Sequence, residues 1–552
     1  MKTNILTRIA LIGAVCFVSC QKDKPTAETF NREGMLKLGK QLDNPYSVET
    51  MKEAWNNIQQ NNSSYRMMGA GITTTHLYLK FKPQNEEELS LLQEDSTLTL
   101  YTHPLDYEIL GDGDYYHDPE IPDSLPTYQY CAVPVDKVLP AGVSHEVLAK
   151  LFIPDEDPDD EGKRFASGET TDALVDEALR ITDNLEPDED QGNQRRRRKW
   201  RPQGSVQVYH SFSENKNRNS RYIPVQGAVV RARRWFTTRK GTTDADGKFS
   251  CNGRFRRAAN YSIRWERYHF SIRSGTLGQA VYNGPKKRGG WNLKLGRQGS
   301  NFVKDKQQYY ALIFQAAHFY YYGDRMGLTS PSRNSWWKKQ LKIAARAKNG
   351  SSSHVHQRTL YWGADISLQK YGNYSDLVFA TTIHELAHGA HRELHKNNYN
   401  HLVSEGYVKP CVSHWDCMES NADISSKAKN KRRLLETWAK TVEIALTRNW
   451  YINHCNISNY VFERANYQSV EIEDKPYYTS AGYDLIDDED QSETFTYLNT
   501  PNDRVKGYSI LQLEQALKHA RSWEEWRDNI KEDYDNPTEK YVDELFANWS
   551  DD

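Results

Sequence analysis

In the first third of the chain, alternating apolar and polar positions predict β-strands. Two segments before these strands have apolar residues at the spacing of a helix. Period-two alternation puts one apolar row on one face of a sheet. It occurs in three segments, at residues 76–81, 97–101 and 128–134. Apolar side chains spaced for one face of a helix predict helices at residues 31–42 and 47–59. We therefore expect an N-terminal α+β domain at residues 21–153.

The pattern changes twice further along the chain. Residues 154–200 alternate acidic runs with one short helical segment near 171–185, which is typical of a charged linker. Residues 201–298 are strand-like and rich in turns, which indicates a β-domain. Residues 299–552 mix strands with longer helical segments, including closing helices near 510–530 and 538–549. The fold class expected is therefore multidomain α+β.

Charge argues against nucleic acid as a partner. The chain of 552 residues carries 72 basic and 74 acidic side chains, so no overall positive field exists. The basic run at residues 195–199 follows two acidic runs that can neutralise it, and we interpret it as part of the solvated linker.

The first twenty residues have the pattern of an export signal. Lys2 and Arg8 precede an apolar run that is too short to span a bilayer. The run ends in Val18-Ser19-Cys20, which resembles the lipobox of bacterial lipoproteins. The resemblance implies cleavage before Cys20, a lipid on that cysteine as membrane anchor, and a place in the cell envelope, at the outer membrane or displayed outside it. An ordinary cleaved signal peptide is the alternative.

A turn in the predicted β-domain carries a second resemblance. The stretch from Gly241 to Phe249 contains a Thr-Asp-x-x-Gly-type turn followed by an aromatic residue. This layout resembles the carboxypeptidase-regulatory-like β-sandwich, a domain that spaces or orients a catalytic unit. Asp244 and Asp246 also raise the idea of calcium, but the later ligands of an EF-hand loop are missing, so a tight turn is favoured.

The candidate chemistry lies in the last third, in the sequence His384-Glu385-Leu386-Ala387-His388. Ser375 and Asp376 predict the start of a helix through this motif. Residues four apart lie one above the other on a helix, so His384 and His388 can direct their imidazoles at one ion while Glu385 flanks them. Residues 363–369 are predicted to form an edge strand that holds an extended peptide beside the metal.

This motif resembles that of the zincin metallopeptidases. The resemblance implies Zn²⁺ held by His384 and His388, with Glu385 as general base for the attacking water. The metzincin pattern is absent, because it needs glycine at the position of His391 and histidine at that of Leu394. His391 and His395 are therefore expected to support the site or to lie on the surface.

The gluzincin branch takes its third ligand from a glutamate on a later helix, and residues 432–446 resemble that segment. Glu436 is favoured as the ligand and Glu443 as an orienting partner, although either carboxylate could reach the metal and both could face solvent. His414, Asp416 and Glu419 form a second candidate cluster, for which a substrate-binding loop is the simpler interpretation. Three downstream tyrosines are candidates for stabilising the oxyanion: Tyr478, Tyr483 and Tyr508.

The hypothesis from sequence is a zinc endopeptidase acting on a peptide or protein substrate. A catalytically silent surface protein that binds glycans or host proteins is the alternative, and an exopeptidase is a third option. Five cysteines remain after Cys16 and Cys20, of which Cys411 and Cys417 are close enough in sequence to form a disulfide.

Overall fold

The computed structural model describes most of the chain outside its N-terminal leader and several loops. The described residues are 34–61, 71–154, 168–186, 199–212, 220–275, 278–335, 340–354, 364–411, 423–458, 460 and 468–551. Over these residues the protein is multidomain and mixed α+β, which confirms the coarse fold class. Cys20 and residues 195–198 of the basic run lie outside the described residues.

The N-terminal unit contains two small antiparallel sheets and three helices. A three-stranded sheet has His76–Phe81 between Gln129–Pro134 and His145–Leu151, while Leu38–Gln41 pairs with Tyr107–Ile109. The helices are Val48–Asn61, Glu86–Glu94 and Gly168–Ile181. The last of these lies in the predicted linker, but its Leu174 and Leu179 are fully buried in the same cluster as Met51, so it belongs to the N-terminal core.

Two local predictions in this unit were wrong. Residues 38–41 form a strand and not a helix, because they pair with Tyr107–Ile109. The apolar residues at 35, 36 and 38 fit the period of a helix and that of a strand, and pairing with a partner strand selects the strand. Residues 97–101 form no regular strand; Tyr101 makes only an isolated bridge to Tyr130.

The central segment forms two four-stranded sheets that contact each other through aromatic rings. The first contains Gln203–His210, Arg221–Pro224, Lys248–Ser250 and Trp291–Leu295, and the second contains Val229–Arg234, Thr237–Thr242, Ala259–Arg264 and Val281–Lys287. The ring of Tyr261 lies 5.2 Å from that of Trp291 and 6.2 Å from that of Phe249. These contacts join the two sheets over a shared apolar interior.

The Asp244 turn is explained by its own hydrogen bonds. The Asp244 carboxylate accepts from the backbone N–H groups of Asp246 and Lys248 at 3.0 and 2.9 Å. Gly247 has φ +71, and a Cβ there would lie 2.5 Å from the carbonyl oxygen of Val206. The turn therefore needs glycine for conformation and for space.

The C-terminal unit has a five-stranded mixed sheet in the order Gly278–Gln279, Phe270–Ser274, Leu341–Ala345, Ile366–Leu368, Ser353–His354. Phe270–Ser274 runs parallel to Leu341–Ala345, so a strand from before residue 298 belongs to this sheet. Ile366–Leu368 lies between two strands and is not an edge as predicted; Ser353–His354 is outermost among the described strands.

Helices make up the rest of this unit. The three long ones are Lys306–Tyr322, Ser375–Leu394, here called the motif helix, and Ser426–Arg448, here called the glutamate helix. The shorter helical segments are Lys396–Val403, Ser404–Val408, Lys409–Cys411, Asn449–His454, Ile472–Asp474, Ala481–Asp484, Gln491–Thr494, Ile510–His519, Trp523–Asp533, Glu539–Tyr541 and Val542–Trp549. The motif helix packs against both other long helices. None of the helices in the described ranges is long and apolar enough to cross a bilayer.

Candidate metal centre

The motif helix is buried because apolar side chains surround it on several sides. Phe379, Ile383 and Leu386 are fully buried, and the Phe379 ring stacks on Trp450 at 4.3 Å. The helix begins one residue earlier than predicted, since its N-cap is Tyr374. Ser375 instead accepts a hydrogen bond from the backbone N–H of Ser211 at 3.1 Å, which joins the start of the helix to the central sheets. Tertiary contacts and not a local cap therefore fix this end of the helix.

The motif helix and the glutamate helix bring His384, His388 and Glu436 together. One ligand atom of each residue lies within 4.8 Å of the others. All three side chains are buried, with at most 8% of each residue exposed. The Nε2 atoms of His384 and His388 lie 3.3 and 3.4 Å from the same oxygen, Oε2 of Glu436. Glu436 is thus the carboxylate that completes the histidine pair.

These distances fit a tetrahedral zinc ion. Ligands placed 2.0–2.1 Å from tetrahedral zinc lie roughly 3.3–3.4 Å from one another. A direct hydrogen bond between a charged imidazole and a carboxylate is usually shorter, about 2.7–2.9 Å. Two imidazole nitrogens and a carboxylate oxygen also form a ligand set common at catalytic zinc sites. The residues present therefore fit zinc in chemistry and in spacing.

Glu443 does not share the metal position but holds His384 from the other side of the ring. Its Oε2 lies 3.0 Å from Nδ1 of His384, and the same oxygen pairs with Nζ of Lys440 at 2.6 Å. A carboxylate on the second ring nitrogen fixes the imidazole tautomer with the lone pair of Nε2 available for a metal. Glu443 thus lies where the sequence hypothesis expects an orienting partner of His384.

Tyr407 holds the glutamate in place. Its hydroxyl donates to Oε1 of Glu436 at 2.5 Å, which leaves Oε2 directed at the two histidines. The guanidinium of Arg432 lies over the Tyr407 ring, 4.6 Å from its centroid. The two carboxylate oxygens thus have separate partners, one structural and one aimed at the ion position.

Charge compensation keeps this buried cluster ionised. Burial alone would lower the pKa of His384, but its hydrogen bonds with Glu436 and Glu443 raise that pKa to about 9. Burial would raise the pKa of Glu436, yet the imidazoles of His388 and His384 hold it well below its usual range. Burial raises the pKa of Glu385.

The other histidines near the motif have different roles. His391 is 2% exposed and packs against the ring of Tyr399 at 5.0 Å, and burial lowers its pKa to about 3. His395 caps the following helix by accepting from the backbone N–H of Asn398 at 3.2 Å. Neither belongs to the cluster. His414, Asp416 and Glu419 lie outside the described residues.

Of the three candidate tyrosines, only Tyr478 contacts the site. Its ring lies 5.7 Å from that of His384, and 38% of the residue is exposed. Tyr508 is buried, with its backbone N–H donating to the carbonyl oxygen of Leu485 at 2.9 Å, and Tyr483 lines a cavity of about 410 Å³ with Ile486 and Leu511. Cys411 is disulfide-bonded, whereas Cys417, its predicted partner, lies outside the described residues.

Sequence reasoning missed Tyr407 and Lys440. Lys440 had a detectable signal, because it precedes Glu443 by three residues on one helix and can pair with it. Tyr407 had none, since it comes from a separate helical segment, Ser404–Val408, and meets Glu436 only through the tertiary fold.

Comparison with known protein families, with curated proteins and with solved structures gives no match for this chain.

Proposed function

We propose that the protein is a zinc-dependent metallopeptidase with His384, His388 and Glu436 as metal ligands. The observation that carries the proposal is the position of Glu436 Oε2, 3.3 and 3.4 Å from the two Nε2 atoms. That spacing matches the edge of a zinc tetrahedron. The relation to gluzincins, and that of the central sheets to a carboxypeptidase-regulatory-like sandwich, belong to the same proposal.

Zinc bound there would supply Lewis acidity, polarising a substrate carbonyl and lowering the pKa of water towards 7. Glu385 accepts a proton from the attacking water and returns it to the leaving amine. Its burial and raised pKa fit a group that must both take up and release a proton. Tyr478, exposed beside His384, is the candidate donor to the oxyanion.

The proposed setting is the cell envelope, with a lipid on Cys20 as anchor. The support is the leader with its Val18-Ser19-Cys20 site, which indicates export and acylation. Substrates in that setting would be peptides or proteins outside the cytoplasm.

The test combines zinc content with cleavage of a peptide library by the purified protein. We expect one zinc per chain and cleavage inside blocked peptides. Glu385→Gln should keep the zinc and lose about 10²–10⁴-fold in kcat/KM, because only the proton acceptor is removed. Glu405→Gln, a nearby glutamate paired with Lys409, is the control and should leave both readouts unchanged.

Two results would contradict the proposal. Zinc content below a tenth of an equivalent would remove the metal site. Full zinc occupancy without any cleavage by the unaltered protein would instead favour a silent binding protein, and cleavage only of peptides with free ends would indicate an exopeptidase.

A further inference from the structure

A second group of carboxylates, two buried and one partly exposed, lies in the segment that follows Tyr478. It contains Asp484, Asp487 and Asp503, and one carboxylate oxygen of each lies within 4.8 Å of the others. Asp484 is fully buried and Asp503 is 5% exposed. In the described part of the chain, no lysine, arginine or histidine forms an ion pair with any of the three. Three carboxylates are therefore held together without a paired cation, and the opposing influence of Arg448 on the pKa of Asp487 is smaller than that of burial and Glu489.

Hydrogen bonds satisfy only part of this group. Ser480 donates to Asp484 at 2.7 Å, Gln468 donates to Asp487 at 2.9 Å, and the backbone N–H of Val505 donates to Asp503 at 3.0 Å. Oδ1 of Asp487 and Oδ2 of Asp503 are buried and have no partner among the described atoms. Buried carboxylate oxygens are normally paired, so two without a partner in one group of carboxylates point to a cation as ligand.

Gln491 gives an independent sign of that cation. Its side chain is completely buried, its amide nitrogen contacts both Asp484 and Gln468, and its amide oxygen has no partner. A half turn of the amide exchanges oxygen and nitrogen and presents the oxygen to the carboxylates. A side-chain amide oxygen is a regular ligand of hard cations.

The ion that fits this ligand set is calcium. Only oxygen atoms are offered, which excludes a preference for zinc or copper. Calcium–oxygen distances of 2.3–2.6 Å put opposite ligands about 4.6–5.2 Å apart, so atoms within 4.8 Å of one another can surround one ion. Magnesium usually keeps several waters and one or two carboxylates, whereas this group has three carboxylates and little exposure.

We propose that Asp484, Asp487 and Asp503, together with the side-chain oxygen of Gln491, form a structural Ca²⁺ site. The electrostatics of the group agree with this. Burial, with added repulsion from neighbouring acids, raises the pKa of Asp487 to about 7 and that of Asp503 to about 8. Geometry carries the assignment, because the three carboxylates converge and two of their buried oxygens have no hydrogen-bond partner among the described atoms.

The ion would fix the segment that forms one wall of the zinc centre. A Cβ on Gly482 would lie 2.0 Å from Oγ1 of Thr441, so the short helix Ala481–Asp484 packs directly on the glutamate helix. Thr479, next to Tyr478, makes a hydrogen bond of 2.9 Å with Thr437 of the same helix. Calcium would therefore hold Tyr478 in place beside His384.

The first experiment measures thermal unfolding of the zinc-loaded full chain after removal of calcium with a calcium-selective chelator. Adding millimolar CaCl₂ should raise Tm by about 2–4 °C or more, because an ion that binds only the folded state stabilises it. Tb³⁺, which replaces calcium, should bind one per chain with emission excited through the nearby Trp526, and CaCl₂ should displace it.

The matched variants are the double substitution Asp487→Asn with Asp503→Asn and, as control, Asp488→Asn, an exposed neighbour. The double variant should lose the calcium response and the Tb³⁺ signal, while its calcium-free Tm equals or exceeds that of the unaltered protein because repulsion is removed. Asp488→Asn should behave like the unaltered protein.

Three outcomes would overturn the proposal: no Tm response to CaCl₂ in the unaltered protein, a response kept by the double variant, or an equal response to MgCl₂ alone. Each is independent of the proposed peptidase function, because zinc content and cleavage are not read in this experiment. A protein without zinc or cleavage could still show the calcium response, and the reverse also holds.

Discussion

Two buried groups of ligand-type side chains lie in the C-terminal unit, and their charges are arranged in opposite ways. Around Glu436, carboxylates alternate with imidazoles, so the pKa of His384 is raised and that of Glu436 is lowered. Around Asp487 and Asp503, burial and then repulsion from neighbouring carboxylates raise both pKa values. The charges of the first group compensate one another, whereas in our proposal a bound cation neutralises the second group.

The supports of the two groups differ as well. His384, His388 and Glu436 project from two long helices that pack against each other. Asp484 ends a four-residue helix, and Asp487 and Asp503 lie in turns and loops. A rigid frame holds a catalytic ligand set ready, while a loop-borne set gains its order from the ion it binds. We therefore expect zinc to control activity and calcium to control stability.

The strongest way to break this comparison is Glu436→Ala. Removal of the third ligand should abolish stoichiometric zinc binding and with it all cleavage, because two imidazoles alone hold zinc weakly. The Tm response to calcium should remain, since Asp484, Asp487 and Asp503 are untouched. Elemental analysis and melting curves with and without CaCl₂ measure both effects. Stoichiometric zinc in Glu436→Ala would show that another residue completes the site.

Glu443→Gln should have the next largest effect. The amide cannot supply the charge that holds the His384 ring through Nδ1, so zinc affinity should fall about 10–100-fold. A competition titration with a chromophoric zinc chelator gives the affinity, and excess zinc should restore cleavage. Glu539→Gln, far from the site in the segment Glu539–Tyr541, serves as the control. An unchanged affinity would mean that Glu443 only neutralises Lys440.

Gly482→Ala tests how tightly the two groups are connected. The added methyl would meet Thr441 at 2.0 Å, and we expect about 1–2 kcal/mol of destabilisation because the short helix can shift to relieve part of the overlap. Calcium affinity should fall with it, since Asp484 moves with this helix. Denaturant unfolding measures the stability, and Gly111→Ala, where a Cβ meets open space, is the matched control. Equal stability of the two variants would refute the close contact.

Sequence reasoning grouped His384, His388 and Glu436 from the helical period of the motif together with the resemblance to gluzincins. His384 and His388 are one helical turn apart, and Glu436 and Glu443 recur at a seven-residue interval on another helix. The helical period alone therefore predicts which side chains share a face. The carboxylate group at Asp484 had no such period, since Asp503 follows Asp484 by nineteen positions that include turns and the short helix Gln491–Thr494.

Fold prediction failed where a partner segment decides the outcome. Residues 38–41 become a strand because Tyr107–Ile109 pairs with them, and Ile366–Leu368 becomes internal because Ser353–His354 adds beside it. The helices at 48–61 and through the motif were predictable from their own apolar faces. The local pattern of apolar residues is thus enough to predict an amphipathic helix. The order of strands in a sheet depends on contacts between residues distant in sequence.

Tyr407→Phe should have the smallest effect. It distinguishes a residue that shapes the zinc centre from one that binds the ion. The variant loses only the 2.5 Å hydrogen bond to Glu436 Oε1. Zinc affinity should fall about fivefold, near 1 kcal/mol, because Oε2 keeps its place but with more freedom. Tyr497→Phe, at an exposed position, is the control in the same zinc titration. A loss as large as that of Glu436→Ala would mean that Tyr407 is itself required to hold the metal, and no loss would mean that the motif helix and the glutamate helix alone orient the carboxylate.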